Sequence, residues 1–355
     1  MFNKLYENLL NNINSGIQCV MLTYLNLNDS TSGSIENKIL LTKDDIDKKV
    51  LPLDDNIYQS INNSILTGKI DKINIENGKL LLIEPFFPKP RLIIFGGGHI
   101  AKPLVEFSSK VGFSITVIDD RPYFANSLRF PEAEKVICED FRKSFDLINF
   151  RESDFVVIVT RGHRHDGLVL RNVLKHNLKY IGMIGSKRRV KGMMDELISE
   201  GFSKELLEKV NSPIGIEIGA ITPDEIAISI VSQLISFKNQ NILSGQNKKY
   251  SQPEFDNDVI SEVNNETSMP KSILTILSSK GSVPRKAGAK MIAYPDGRTL
   301  GSIGGGCSEA EVLNKARSMM QKNEFSIERV DMTGDVAESI GMVCGGVMDV
   351  LIESF

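Results

Sequence analysis

Short apolar runs recur through the middle of the chain. They lie at residues 92–95, 113–118, 155–159 and 180–184. Runs of this length and character are typical of strands that are buried on both faces of a parallel sheet. Because a helix is expected between the first two runs, the pattern predicts a Rossmann-like α/β domain with a parallel sheet.

The two ends of the chain show a different, α+β pattern. At the N-terminus, an amphipathic helix and a strand precede a second helix and the strand at 79–86. This strand resembles residues 348–355, and each end segment also opens with a strand. We therefore interpret the N-terminal segment as a diverged, structural copy of the C-terminal one that lacks its glycine-rich loops. Cys19 is then a buried core thiol rather than a ligand.

Changes in composition mark the boundaries between segments. The prolines of 88–90 end the N-terminal segment, and a stretch rich in Asn, Gln, Ser, Lys and Glu reads as a linker. The expected organisation is an N-terminal α+β segment at 1–88, a Rossmann-like domain at 89–239, a linker at 240–269 and a smaller α/β glycine-loop domain at 270–355.

A glycine-rich turn follows the first apolar run and suggests nucleotide binding. Gly96 permits a tight turn, Gly98 lets the backbone approach a phosphate, and Ala101 allows the next helix to pack closely. Asp119 ends the following strand, near the expected position of a ribose-binding carboxylate. A cation in 120–122 leaves the choice between NAD and NADP open. The alternative is a domain that keeps this turn for packing and binds no nucleotide.

The fourth apolar run leads into a cationic turn. Ser186 is placed to cap a helix whose first residues, 187–189, are all basic. Three cations oppose the helix dipole there, whereas a bound anion would be favoured by it. We predict a phosphate site at Ser186, Lys187, Arg188 and Arg189, against the alternative of a solvated basic turn.

Two cysteines lie in glycine-rich turns of the C-terminal segment. Cys307 follows Gly304, Gly305 and Gly306 at a predicted helix N-terminus, a position that lowers the pKa of a thiol. Cys344 precedes Gly345 in a second such turn. Together they suggest a site for a soft metal or a sulfur-handling pair, with buried packing thiols as the alternative.

Composition narrows the class of protein. With 41% hydrophobic residues and a net charge of −3, the chain is an ordinary globular protein in which nothing favours nucleic-acid or membrane binding. The N-terminus has no signal-peptide pattern, so a cytoplasmic location is expected. Four cysteines are too few for a disulfide scaffold.

The motifs together resemble the XdhC/CoxI family, the accessory proteins of xanthine dehydrogenase and carbon monoxide dehydrogenase. The matching stretches span about residues 90–355 and lie at 95–101, 119–122, 180–188, 213–225, 281–289, 304–309 and 344–346. The resemblance implies a maturation factor that binds the molybdenum cofactor (molybdopterin), supports its sulfuration and inserts it into an apo molybdenum hydroxylase. A cysteine desulfurase is then an expected partner, and a homodimer is plausible.

The resemblance also implies roles for particular residues. Cys344 and Cys307 would lie near the metal, and Arg285 and Glu309 would orient the loops or contact the ligand. The cofactor-binding set would comprise Gly96, Gly98, His99, Ala101, Asp119, Ser186, Lys187, Arg188, Arg285, Gly304, Gly305, Gly306, Cys307, Glu309, Cys344 and Gly345.

Two departures from the family pattern leave alternatives open. The glycine-loop domain comes last here, whereas the family commonly places it first. Arg161 stands where a histidine is expected, which weakens a metal site at His163 and His165 and favours a cleft-lining role. An NAD(P)-dependent oxidoreductase, with His99 or His163 as proton donor, and a nucleotide-binding regulatory module remain as alternatives. Whether the protein is an enzyme stays undecided, with a non-enzymatic insertion chaperone preferred.

Overall fold

The structure is a computed structural model. It describes residues 3–75, 78–239, 253–265, 269–305, 307–320, 324–332 and 346–354, with the side chains of residues 3, 307 and 308 excepted. The chain divides into two compact units. Unit 1 combines residues 1–88 with 241–355, and unit 2 is formed by residues 89–240.

Unit 1 begins with an α+β segment. In chain order it holds α1 (Asn3–Asn14), β1 (Cys19–Leu27), β2 (Ser32–Thr42), α2 (Lys43–Asp47), α3 (Asp55–Thr67), β3 (Asp71–Ile75) and β4 (Lys79–Phe86). Helix α3 ends at Gly68, whose left-handed φ of 70° stops the helix. Tyr58 and Ile61 on its buried face pack against Leu81 and Ile83 of β4.

Unit 2 contains the alternating strands and helices of the middle of the chain. They are β5 (Arg91–Phe95), α4 (Ala101–Lys110), β6 (Ser114–Asp119), β7 (Lys135–Cys138), α5 (Phe141–Ser144), β8 (Phe155–Ile158), α6 (His163–Val173), β9 (Tyr180–Met183), α7 (Lys187–Ser199), α8 (Lys204–Leu207), β10 (Val210–Asn211) and α9 (Pro223–Asn239). The strand pairs are parallel, and the strand order is β10-β9-β8-β5-β6-β7. This is the Rossmann order, so the predicted fold class is confirmed.

The C-terminal part of unit 1 completes the chain. It contains α10 (Asn257–Asn264), β11 (Ser272–Gly281), β12 (Lys290–Ala293), β13 (Thr299–Gly301), α11 (Cys307–Met319), β14 (Glu324–Asp331) and β15 (Gly346–Ser354). The strands described in unit 1 lie in one nine-stranded sheet of order β13-β12-β11-β15-β14-β2-β1-β4-β3.

Two features of unit 1 differ from the expectation drawn from the sequence. The segments 1–88 and 270–355, which the sequence sets apart, share one sheet because β14 pairs with β2. The expected linker at 240–269 contains helix α10, whose Val259, Ile260 and Val263 are buried against α1. Polar composition concealed this helix, since only one face of it is apolar.

Candidate functional site

The glycine turn after β5 is shaped first by packing. Gly96 has a φ of 110°, and a Cβ there would lie 2.3 Å from the carbonyl oxygen of Val159. Only glycine allows this approach between the β5 and β8 turns. Ala101 is fully buried at the start of α4. These two predicted residues therefore hold the sheet and helix together. Apart from Gly98 itself and its two chain neighbours, no described residue has a heavy atom within 4 Å of a Cβ placed on Gly98, so that position faces open space.

Asp119 is engaged within the protein. Its carboxylate accepts hydrogen bonds from the Gly97 amide at 2.8 Å and from the Arg121 guanidinium at 2.8 and 2.9 Å. Burial alone would raise the pKa of Asp119, but these donors outweigh it and lower the pKa. The carboxylate thus fixes the glycine turn, and a ribose hydroxyl would have to replace Arg121 to bind there.

The loop after β6 covers the glycine turn, which the sequence did not predict. A Cβ on Gly97 would lie 2.0 Å from the carbonyl oxygen of Phe124. Arg129 donates to the carbonyl oxygens of Gly97 and Gly98 at 3.0 and 3.2 Å. The exposed His99 meets the Phe124 ring edge to face, with centroids 6.5 Å apart. The loop therefore leaves Gly98 and His99 as the accessible part of the turn.

We expect alanine substitutions at two adjacent glycines to distinguish a glycine that is needed for packing from one that faces open space. Gly97→Ala must displace the Phe124 backbone and should lower the melting temperature by about 5 °C. Gly98→Ala meets open space at an ordinary φ and should change it by less than about 2 °C. Differential scanning calorimetry measures both. Equal losses in the two variants would contradict the assignment of Gly97 to packing and Gly98 to an open surface.

A cavity of about 280 Å³ opens at the carboxyl ends of β8 and β9. Helices α6 and α7 both begin at its wall, and neither N-cap residue, Gly162 or Ser186, makes a side-chain capping hydrogen bond. Both helices therefore direct their positive dipole ends toward the same region. The lining residues are Thr160, Arg161, Gly162, His163, Asp166, Met183, Ile184, Gly185, Ser186, Arg189, Val190 and Met193.

The structure places the predicted cationic turn beside this cavity only in part. Ser186 and Arg189 line it, whereas Lys187 and Arg188 are exposed and are not part of its wall. Arg161, which the sequence analysis noted only as a departure from the family pattern, lines the cavity and pairs with Asp120 at 2.7 and 2.9 Å. An anion in the cavity would therefore meet two guanidinium groups and two helix N-termini.

Asp166 is the buried acid of this cavity. Its carboxylate is 7% exposed and accepts a 2.6 Å hydrogen bond from the Thr160 hydroxyl. Burial raises its pKa despite this bond. His165 packs against the Phe141 ring, with centroids 5.4 Å apart. Within the described residues no group of three His, Cys, Asp or Glu is arranged to hold a metal.

Glu309 organises the glycine loop that precedes α11. One carboxylate oxygen accepts from the Ser302 hydroxyl at 2.7 Å and from the amides of Ile303 and Gly304 at 2.9 and 3.0 Å. Burial would raise its pKa, but these donors together with the Gly305 amide lower it. Of the two roles predicted for Glu309, the contacts correspond to orienting the loop.

Arg285 has a similar orienting role in the loop between β11 and β12. Its guanidinium pairs with Glu254 and Asp256 at 2.5 and 2.9 Å. A Cβ on Gly288 would lie 2.6 Å from the Glu254 carbonyl oxygen, so the loop packs closely on the segment before α10. Both acidic partners lie in the stretch that the sequence reads as a linker.

The predicted cysteine pair can be located only in part. Gly306, Cys344 and Gly345 lie outside the described residues, and Cys307 is placed by its backbone at the first position of α11. Cys19 is a buried free thiol, as predicted, and burial raises its pKa to about 11. Cys138 is a free, exposed thiol.

Comparison with known proteins identifies the family. Residues 92–234 match the model of the XdhC Rossmann domain, and residues 269–331 match the model of the XdhC and CoxI family. Together these segments cover more than half of the 355 residues. The chain belongs to the XdhC/CoxI family.

Among the described residues, no helix has the length and apolar character needed to cross a bilayer.

Two of three similar proteins carry names connected with xanthine dehydrogenase. A probable xanthine dehydrogenase subunit from Bacillus subtilis (strain 168) is 33% identical over 160 residues, 45% of this chain and 46% of that protein. The uncharacterized protein YqeB of Escherichia coli (strain K12) is 30% identical over 166 residues, 46% of this chain and 30% of that protein. These matches span less than half the length of either relative. A crystal structure of a xanthine dehydrogenase from Bacillus halodurans, 28% identical, covers 69% of this chain and 66% of that chain, with a TM-score of 0.49.

Proposed function

We propose that this protein is a maturation factor for a xanthine dehydrogenase-type molybdenum hydroxylase. In this role it binds the molybdenum cofactor, supports its sulfuration and transfers it to the apo-hydroxylase. Membership of the XdhC/CoxI family and the name of the Bacillus subtilis relative support the hydroxylase as partner. A cysteine desulfurase as sulfur donor and a homodimeric assembly belong to the same proposal.

The main support for cofactor binding is the loop at 302–305, which Glu309 holds through hydrogen bonds. A single carboxylate accepts from the amides of Ile303 and Gly304 and so fixes the loop shortly before α11 begins. The backbone of Cys307 lies at the first position of that helix. Because Glu309 occupies these amides, the loop would offer a cofactor its fixed backbone path together with a cysteine, a residue type that binds soft metal centres.

The cavity at the N-termini of α6 and α7 suits a phosphate group. A phosphate carries two negative charges near neutral pH and is favoured by converging helix N-termini with arginines beside them. Ser186, Arg189 and Arg161 line this cavity. In our proposal these residues bind a phosphate group.

Binding of the molybdenum cofactor by the reduced protein under anaerobic conditions tests the proposal. We expect stoichiometric binding by the wild type and a loss of at least tenfold in affinity for Cys344→Ala and for Cys307→Ala. Cys138→Ala, which removes an exposed thiol of unit 2, is the matched control and should bind as the wild type does. Absence of binding by the wild type would overturn the proposal.

Nucleotide binding is a second candidate, because unit 2 has the Rossmann strand order and leaves Gly98 open. It includes the NAD(P)-dependent oxidoreductase and the nucleotide-binding regulator. Both predict tight NADH or NADPH binding without the molybdenum cofactor, and only the oxidoreductase predicts turnover. Titration of both nucleotides in parallel with the cofactor separates these functions.

A further inference from the structure

The two halves of unit 1 have the same strand arrangement. In the N-terminal half the order is β2-β1-β4-β3, and the C-terminal half has the matching order β12-β11-β15-β14 with one further strand, β13, beside β12. Strand β1 pairs with β2 and β4, and β3 pairs with β4; correspondingly, β11 pairs with β12 and β15, and β14 pairs with β15. A helix precedes β1 and β11, and helices also lie between β2 and β3 and between β12 and β14. The topology is therefore repeated.

The repeat extends to individual side chains. Thr23 of β1 lies opposite Lys38 of β2, and Thr275 of β11 lies opposite Lys290 of β12. In the same way, Met21 faces Glu84 across β1 and β4, whereas Ile273 faces Glu353 across β11 and β15. A lysine, a threonine and a glutamate thus occupy matching register positions in both halves.

The charged members of this set pair between the halves rather than within them. Lys38 Nζ lies 2.6 Å from a carboxylate oxygen of Glu353, and Lys290 Nζ lies 2.6 Å from one of Glu84. All four residues are less than 10% exposed. When residue i of one copy contacts residue j of the other, and j contacts i in return, the interface has two-fold character.

The apolar residues around these ion pairs also correspond between the two halves. Matching side chains from both halves lie together in the same core clusters. The matched pairs are Met21 with Ile273 and Leu40 with Ile292 in one cluster, and Leu25 with Leu277 and Leu82 with Leu351 in another. On the opposite face of the sheet each half has its own core, under α3 in one case and α11 in the other.

We propose that residues 1–88 are a diverged copy of the C-terminal half and serve as its built-in partner, with side chains packed reciprocally as in a two-fold symmetric dimer. The strand pair β14–β2, which joins the halves, is the exception to this symmetry, since β3 and β12 are not paired with each other among the described strands. The inner face of the C-terminal half is therefore a self-complementary surface whose partner is a copy of the same fold. The two copies differ in their loops, because β1 and β2 are joined by 28–31 and β11 and β12 by 282–289. This inference does not depend on the proposed function.

Charge exchanges in the full chain test the reciprocal pairing. Lys38→Glu combined with Glu353→Lys exchanges charges between the halves and keeps both ion pairs. Lys38→Glu combined with Glu84→Lys has the same composition but places a second carboxylate beside Glu353 and a second ammonium beside Lys290. We expect the first variant to melt within about 5 °C of the wild type and the second to melt at least about 10 °C lower. Equal melting temperatures would overturn the proposal.

An apolar exchange provides a test that does not disturb any charge. Met21→Ile with Ile273→Met moves each side chain to its symmetry-related position in one cluster. If the copies are equivalent, the double variant should melt within about 2 °C of the wild type, and each single change should cost more than the pair. A double variant less stable than the sum of its single changes contradicts two-fold equivalence. The melting temperatures of the apolar variants could be interpreted even if the charge-exchange variants did not fold.

Discussion

Glu309→Ala should weaken the proposed binding of the molybdenum cofactor at least tenfold while the rest of unit 1 remains folded. The substitution removes the acceptor shared by Ser302, Ile303 and Gly304, and each hydrogen bond to a charged group contributes about 1.5–3 kcal/mol. Because the released donors of this half-exposed loop can bind water instead, their contributions do not add in full, and we expect a loss of about 3 kcal/mol and a fall in melting temperature of roughly 5–10 °C. Without the Glu309 carboxylate, the loop should sample many conformations. The affinity for the molybdenum cofactor should therefore fall at least tenfold.

Glu309→Gln is the matched control for this prediction. The amide keeps one oxygen acceptor in the same place but removes the charge, so its hydrogen bonds should be about half as strong. Binding should therefore be intermediate between those of the wild type and Glu309→Ala. If Glu309→Ala bound the cofactor as tightly as the wild type, the loop would not be part of the site.

The pH dependence of the same variant gives an independent measurement. The pKa of Glu309 is lowered in the folded protein from its usual 4.5. Its contribution to stability is therefore fully present above the unfolded pKa and is lost as the pH falls through the folded pKa. The stability difference between the wild type and Glu309→Ala should shrink below about pH 4.5, as urea unfolding at several pH values would show.

The sequence predicted the Rossmann unit well because its signals are local. Each strand is a short apolar run, and the turn that begins at Gly96 follows the first run directly. Ser186 was likewise recognised as an N-cap position from its neighbours alone, and α7 begins at the next residue. Local patterns of this kind need no knowledge of distant partners.

The site contacts were harder to predict because their partners are chosen by tertiary structure. Asp119 reads as a free ribose-binding carboxylate, yet Arg121 and the Gly97 amide occupy it. Phe124 and Arg129, which cover the glycine turn, carry no recognisable motif. Their positions depend on how the loop after β6 returns over the turn, and loop paths follow no sequence period.

The shared sheet of unit 1 was missed for a different reason. Its two halves are separated in sequence by the whole of unit 2, so neither half shows its partner strand locally. One signal was present in the sequence. Glu84 and Glu353 each follow an apolar strand run, and a carboxylate in a buried strand requires a cation. The reciprocal lysines, Lys38 and Lys290, supply those cations from the opposite half.

The buried polar groups around Lys38 should make unit 1 sensitive to alkaline pH. Burial raises the pKa of Tyr6 to about 12, even though Lys38, whose Nζ lies 2.9 Å from the phenol oxygen, acts to lower it. Burial likewise acts to lower the pKa of Lys38, but Glu353 and Tyr6 outweigh it, so the pKa of Lys38 is raised. A raised folded pKa means that the stability contribution is fully present below the unfolded pKa and is lost as the pH rises toward the folded pKa.

For Tyr6 this window runs from about pH 10, where the unfolded side chain ionises, to about pH 12. At pH 11 the loss should reach about 1.4 kcal/mol relative to pH 9, since one pKa unit corresponds to that free energy. Tyr6→Phe should be less stable than the wild type at pH 9, through the lost hydrogen bond to Lys38, but should lose less stability on going to pH 11. Tyr123→Phe, which changes a side chain that is 75% exposed, is the control and should follow the wild type. Urea unfolding at both pH values measures the slopes. If Tyr6→Phe and the wild type lost stability equally, ionisation of Tyr6 would not be the cause of the lower stability at alkaline pH.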